Sequence, residues 1–139
     1  MATVTLERAA VMSIHPQYAS AIMQGKKTIE FRKRRLASDI STVWVYATAP
    51  IKRIVGSFTI KSTVELTPEA MWKEYGTSGC IDEDAFFAYY QSGQTAIGLL
   101  VEEFAPLDRP VLLGEILPSG VPPQSFAYVD NYQWPAAVV

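Results

Sequence analysis

Between Gly25 and Arg35 the sequence reads GKKTIEFRKRR, a run that holds six of the chain's twelve lysines and arginines around a single acid, Glu30. The run alternates. Successive side chains of an extended chain project to opposite faces, so Ile29 and Phe31 point one way while Thr28, Glu30 and Arg32 point the other. The pattern predicts a strand with one apolar face and one ionic face. Lys27 shares the parity of Ile29 but stands at the strand entrance, where its long side chain can reach either side.

The charge around this strand is unevenly spread. Residues 1–53 carry a net +6 and residues 54–139 a net −8, although the chain as a whole is only −2. A local cationic surface attracts phosphates whatever distant charges do within the screening length. The other reading of such a run is a solvated, charged outer face.

Length and hydrophobic content bound the architecture. A chain of 139 residues with 49% hydrophobic side chains suits one domain over 1–139, with a core over about 9–129 and a tail over 130–139. No segment approaches the roughly 18 consecutive apolar residues of a membrane span, and the first residues do not read as a secretory signal. The single cysteine, Cys80, excludes an internal disulfide, and the chain is expected in the cytoplasm. One histidine (His15) and one cysteine cannot build a four-ligand Cys/His zinc site, which excludes zinc deaminases. A nuclease relying on two histidines is excluded too. The glycines form neither a dinucleotide-binding nor a Walker fingerprint. No cofactor and no metal ligand set is expected, and dependence on a divalent metal stays open.

Strand signals run the length of the chain. Ala9–Ile14 reads as a short strand, and HPQYASAIMQG as a helix with Pro16 in its first turn and Gly25 just past its end. Thr42–Pro50 and Lys52–Leu66 read as two strands joined by a Pro-containing turn, with Gly56 marking a bulge or bend. Thr67-Pro68 starts a second helix that ends at Gly76, and Asp82 caps a third, EDAFFAYYQSG, whose Phe86, Phe87 and Tyr90 are read as core. QTAIGLLVEEF is a near-continuous apolar, central strand. PVLLGEIL fits a strand or a short helix, and PPQSFAYV a late strand. Trp134 suggests that the tail docks. The expected class is α+β: a small mixed β-barrel flanked by about three helices.

GKKTIEFR fits the pattern G-x-K-x-x-E-x-R through Gly25, Lys27, Glu30 and Arg32. With SIHPQYASAIMQG, VYATAPIKRIVG and PPQSFAYV in order, the chain from about Val11 to Val129 resembles the ASCH family, a branch of the PUA-like barrels. The resemblance implies five or six strands, a cleft beside the first helix, and RNA or a modified nucleoside as ligand. Family members are linked to RNA binding, to RNA cleavage, and to hydrolysis of the acetyl group of N4-acetylcytidine. Fold alone does not choose among these.

Physical reading of the residues sharpens the options. A carboxylate between Lys27 and Arg32 would hold two mutually repelling cations in fixed positions. An exposed pair is worth only about 0–1 kcal/mol, so Glu30 is expected to line a cleft and orient Lys27 and Arg32. The RNA-binding surface is assigned to Lys26, Thr28, Arg32, Lys33, Arg34, Arg35 and Arg53, with single-stranded RNA as the partner and Trp44 or Tyr46 as stacking candidates, of which Trp44 reads rather as core. The resemblance places Tyr46, Lys52 and Ser125 on cleft-lining strands. Lys52 would neutralise phosphate charge while Tyr46 and Ser125 donate hydrogen bonds or shuttle protons, with Lys27 and Glu30 completing the catalytic set. Relatives acting on acetylcytidine resemble this chain at Lys27 but carry threonine at the place of Glu30; here Glu30 would be a base, or Thr28 a fallback nucleophile. The readings are therefore an RNA-binding ribonuclease, a nucleoside amidohydrolase, and a non-catalytic RNA-binding module. His15, at the entrance of the first helix, fits a cap or a ligand contact.

Overall fold

The helix signals act where the sequence puts them. Pro16 occupies the first turn of α1 (Pro16–Met23), and Gly25 follows its end with φ +76°, a conformation glycine adopts without a Cβ penalty. The Thr67 side chain accepts a hydrogen bond from Ala70 N (3.2 Å) at the start of α2 (Pro68–Tyr75), and Asp82 does so from Ala85 N (2.8 Å) at the start of α3 (Glu83–Tyr89). Loss of the better-formed cap through Asp82→Ala should cost about 1 kcal/mol in chemical denaturation.

The computed structural model describes residues 8–130. Within them the strands are β1 (Arg8–Ile14), β2 (Ile29–Arg32), β3 (Thr42–Ala47), β4 (Arg53–Leu66), β5 (Ala96–Val111) and β6 (Phe126–Asp130). They form one six-stranded sheet in the order β2-β5-β4-β3-β1-β6, parallel between β1 and β3 and antiparallel elsewhere. The α+β class, the mixed sheet and its three flanking helices agree with the sequence reading. Trp134 and the rest of the tail beyond Asp130 lie outside the described residues.

The sheet curls without closing. Five strand spacings separate β2 from β6, about 24 Å in a flat sheet. Yet Arg32 at the end of β2 donates to the hydroxyl of Ser125, one residue before β6, at 2.5 Å. Only strong curvature brings these edges together. Its source is visible in the ladders: the register shifts between Val45 and Tyr46, Ile54 and Gly56, Thr59 and Ile60, and Ile60 and Ser62. Each irregularity adds local twist and bend. No backbone ladder joins β2 to β6 among the described residues, so the barrel keeps a seam, bridged by a side chain.

Gly56 sits at one of these bends. A Cβ there would stand 2.5 Å from the Phe104 ring and 2.6 Å from Ala105 O. Gly56→Ala is therefore expected to destabilise by about 1–3 kcal/mol, measured by urea denaturation. A neutral result would mean that the β4–β5 ladder slides easily.

The apolar run after Gln94 is longer than its sequence suggests. β5 continues through Pro106 and Pro110 to Val111, and Leu113–Glu115 then forms a 3₁₀ turn. Proline lacks the N–H for a ladder bond and is confined to sheet edges. It is tolerated here because β2 pairs only with Ile97–Leu100, which leaves the later half of β5 open on that side.

Three cores result. Met12, Ile14, Ile22, Val43, Val45, Phe58, Ile97 and Leu99 join α1 to the sheet. Val11, Trp44, Tyr46, Ile54, Leu113 and Ile116 fill the other side of β1 and β3. Ile29, Phe31, Met71, Phe86 and Tyr90 join β2 to α2 and α3. The apolar face of β2 thus serves the third core, and its ionic face turns to the seam.

Candidate functional site

The ionic face of β2 is buried: Lys27 is 3% exposed, Glu30 5% and Arg32 8%. The Glu30 Oε1 oxygen lies 3.4 Å from the Lys27 ammonium, and Oε2 lies 3.1 Å from Arg32 Nη1. One carboxylate therefore braces both cations. A buried charge is costly unless paired and hydrogen-bonded, so three charges would not collect here without these contacts.

Further contacts fix the two cations. Lys27 Nζ donates to Gly79 O at 2.5 Å and stands over the Tyr18 and Phe31 rings at 5.1 and 5.4 Å. The Lys27 ammonium thus has one hydrogen bond, to Gly79, beside its ion pair with Glu30. Arg32 Nη1 also reaches Ser13 O (3.5 Å), and Nη2 donates to Ser125 Oγ. The buried Arg32 Nε–H has no hydrogen-bond partner among the described residues. Tyr90, on the far side, donates its hydroxyl proton to Arg32 O at 2.6 Å, and burial raises its pKa, so it remains a neutral brace.

These groups line a cleft of about 850 Å³ in the sheet's seam, within the usual range for small-ligand sites. Ser13, Ser125 and Gln124 form one wall. His15 and Tyr18 contribute from α1, and Phe31, Ile81, Ala85, Phe86 and Tyr89 form the aromatic and apolar side. Lys33 and Arg34 stand at the rim; Lys33 lies 4.6 Å over the Tyr89 ring and Arg34 5.1 Å over Phe126. Desolvation raises the Tyr89 pKa, so at neutral pH its hydroxyl is a donor rather than an anion.

The remaining sequence-assigned residues fall elsewhere. Tyr46, Lys52 and Arg53 line a second depression of about 450 Å³, with Leu112, Leu113, Gly114, Glu115 and Gly120. The two hollows share no lining residue, but adjacent strands contribute to both. Tyr46 on β3 pairs with Ser13 on β1, and Ser13 N donates to Ser125 O at 3.0 Å, so the three stand in one row across neighbouring strands. Ser13 and Ser125 line the cleft and Tyr46 lines the depression. Lys26, Thr28 and Arg35 line neither; Arg35 pairs with Glu65, and Thr28 is exposed with its backbone tied to Ser78 and Val101.

Trp44 and Tyr46 are 3% and 5% exposed and sit in the second core, so neither offers an open stacking face. The partly open aromatic rings at the cleft are instead Tyr18 and Tyr89, beside the buried Phe31 and Phe86, and sequence reasoning missed them as ligand contacts. Tyr18 was legible only as part of the apolar face of α1. Tyr89 was hidden in AFFAYY, where helix periodicity separates it from Phe86 and Tyr90 but does not say which side is open. His15 precedes α1, makes no side-chain cap and lines the cleft, which favours its ligand-contact reading. Among the described residues no group of three or more His, Cys, Asp or Glu is arranged to hold a metal, and no helix is long and apolar enough to cross a membrane.

The sequence matches the ASCH domain model over residues 12–108. A curated relative from Zymomonas mobilis subsp. mobilis, named an ASCH domain-containing ribonuclease, is 33% identical over 124 residues, covering 86% of this chain and 83% of that one. The crystal structure of ASCH from Zymomonas mobilis superimposes with a TM-score of 0.82 at 32% identity, over 90% of each chain. Structures of a tyrosine-to-phenylalanine and a serine-to-alanine variant of that protein superimpose equally well, with TM-scores of 0.82 and 0.81. Large ribosomal subunit protein uL22 of Ureaplasma parvum serovar 3 is 26% identical over 106 residues, 76% of this chain but 34% of that longer protein.

Proposed function

The chain belongs to the ASCH domain family, and on that premise we propose that it binds single-stranded RNA in the seam cleft and cleaves it. The observation that carries this reading is the buried Lys27–Glu30–Arg32 triad beside Ser125, two cations held on one carboxylate in the wall of the cleft. Aromatic rings suit an unstacked base, and the rim cations Lys33 and Arg34 suit its phosphates. A relative of similar length that bears the name ribonuclease supports the catalytic half.

Cleavage would proceed by attack of a ribose 2′-oxygen on the adjacent phosphorus. The 2′-O–P bond forms as the P–O5′ bond breaks; a base takes the 2′-OH proton and an acid protonates O5′. In this reading Lys52 neutralises charge on the phosphate. Tyr46 and Ser125 donate hydrogen bonds or relay the proton that leaves the 2′-OH to the departing O5′, so that no net proton is gained or lost. The Ser125 oxygen accepts from Arg32, which leaves its own proton free to donate. The Zymomonas variants replace a tyrosine and a serine, the residue types given these roles here.

The amidohydrolase reading is weaker. Both Glu30 oxygens are held by cations, which leaves the carboxylate poorly suited to activate water, and Thr28 lies outside the cleft. The single exposed thiol of Cys80 suits a reducing compartment such as the cytoplasm.

The test is incubation of purified protein with end-labelled, unstructured RNA, with and without EDTA. Cleavage that Ser125→Ala abolishes supports the proposal, and the EDTA arm decides on metal. Binding without cleavage reduces the protein to an RNA-binding module. For the rim, Lys33→Ala with Arg34→Ala should flatten the dependence of log K on log salt by about 1.4, at roughly 0.7 per lost phosphate contact. An unchanged slope removes these residues from the interface.

A further inference from the structure

The second depression shares no lining residue with the cleft, yet one cross-strand row contributes residues to both. Tyr46 and Ser125 flank Ser13 in that row, two strand spacings or about 10 Å apart. A strand of RNA with its base in the cleft and a phosphate above this row can continue over the depression.

The lining there suits a nucleotide. Leu112, one of its lining residues, is 54% exposed. It is a large apolar side chain with an open face. The cations outnumber the acid: the Glu115 carboxylate accepts from Leu112 N at 2.8 Å and is committed to that turn, and Arg53 Nη1 is tied to Lys52 O at 2.9 Å. The Lys52 ammonium makes no hydrogen bond or ion pair with any described residue. Lys52 also has φ +53°, one of two non-glycine residues in the described chain with positive φ. Such a conformation costs of order 1–3 kcal/mol and persists where the surroundings hold it.

We propose that this depression is a second nucleotide subsite. It holds the neighbour of the nucleotide whose base occupies the cleft, with that neighbour's base against Leu112. The ligand is then an unpaired stretch of at least two nucleotides, and a free nucleoside fills only half the site. This inference rests on the RNA reading of the cleft and adds the size of the unit recognised.

The experiment measures affinity for 2′-O-methyl oligonucleotides, which lack the attacking hydroxyl, in a series from one to four nucleotides. Affinity should rise about tenfold or more from one to two nucleotides. Leu112→Asp should abolish that step and Leu112→Ser reduce it; the side chain is largely exposed, so the fold is not at risk. Flat affinity across the series, or a step that neither variant changes, overturns the subsite while leaving cleavage of long RNA to support the ribonuclease reading. A variant-sensitive step without any cleavage supports the subsite on a non-catalytic binder. No binding at any length overturns both.

Discussion

Glu30→Gln should lower the unfolding free energy by about 3–5 kcal/mol, the usual cost of removing one partner from a buried ion pair. Glutamine keeps the shape of the side chain, so the loss is electrostatic. Lys27 and Arg32 would remain almost wholly buried with their shared counter-charge gone, and no other carboxylate among the described residues lines the cleft. For a chain of this size the loss corresponds to a fall in Tm of roughly 10–20 °C. Urea denaturation at pH 7 measures it. Adding Lys27→Met to Glu30→Gln should recover part of the loss, because it removes one of the two unpaired charges; a strictly additive double variant would mean that Lys27 and Glu30 do not interact. A loss below about 1 kcal/mol would mean that the triad behaves like an exposed surface pair. The same substitution should weaken RNA binding even where the protein remains folded, since Arg32 would lose the contact that fixes its Nη1 edge.

Lys52 gives the second large effect, with opposite signs on activity and stability. Lys52→Ala should reduce RNA cleavage by about 10²–10³-fold, the scale of losing one group that stabilises transition-state charge. Its stability should change by no more than about 0.5 kcal/mol, because the side chain is exposed and unpaired. Lys52→Gly should lose as much activity yet gain stability, by roughly 0.5–1 kcal/mol, because glycine accepts positive φ without strain. The net gain is limited by glycine's greater freedom in the unfolded chain. Single-turnover cleavage and thermal melts on the two variants check this together. Full activity in either variant would remove Lys52 from the mechanism; full activity in both alongside a stabilised glycine variant would make the backbone at this position a purely structural matter.

Much of the local structure was legible because its causes are local. Pro16, Gly25, Thr67 and Asp82 act within a turn of where they stand. The alternation of Ile29, Glu30, Phe31 and Arg32 sorts their faces in any strand. Where sequence reasoning fell short, the causes were distant. Whether β5 could continue through Pro106 depended on how far its neighbour β2 extends, and whether Trp44 and Tyr46 were open depended on Leu113 and Ile116, nearly seventy residues away in the chain.

The candidate site divides in the same way. That Glu30 belongs with Lys27 and Arg32 follows from spacing, since all three come from one short segment. That Ser125 joins them, that Tyr18 and Tyr89 supply open rings, and that Tyr46 with Lys52 faces a second hollow does not follow from spacing.

The amino-acid sequence by itself determined the two-faced strand, the helix ends, and the pairing of one acid with two cations, because those depend on residues within a few positions of each other. Only the tertiary structure decided that the sheet curls without closing and that its seam gathers these charges into a buried cleft. Curvature sums small twists and register shifts over six strands, and no single segment carries enough of that sum to reveal where two edges will meet.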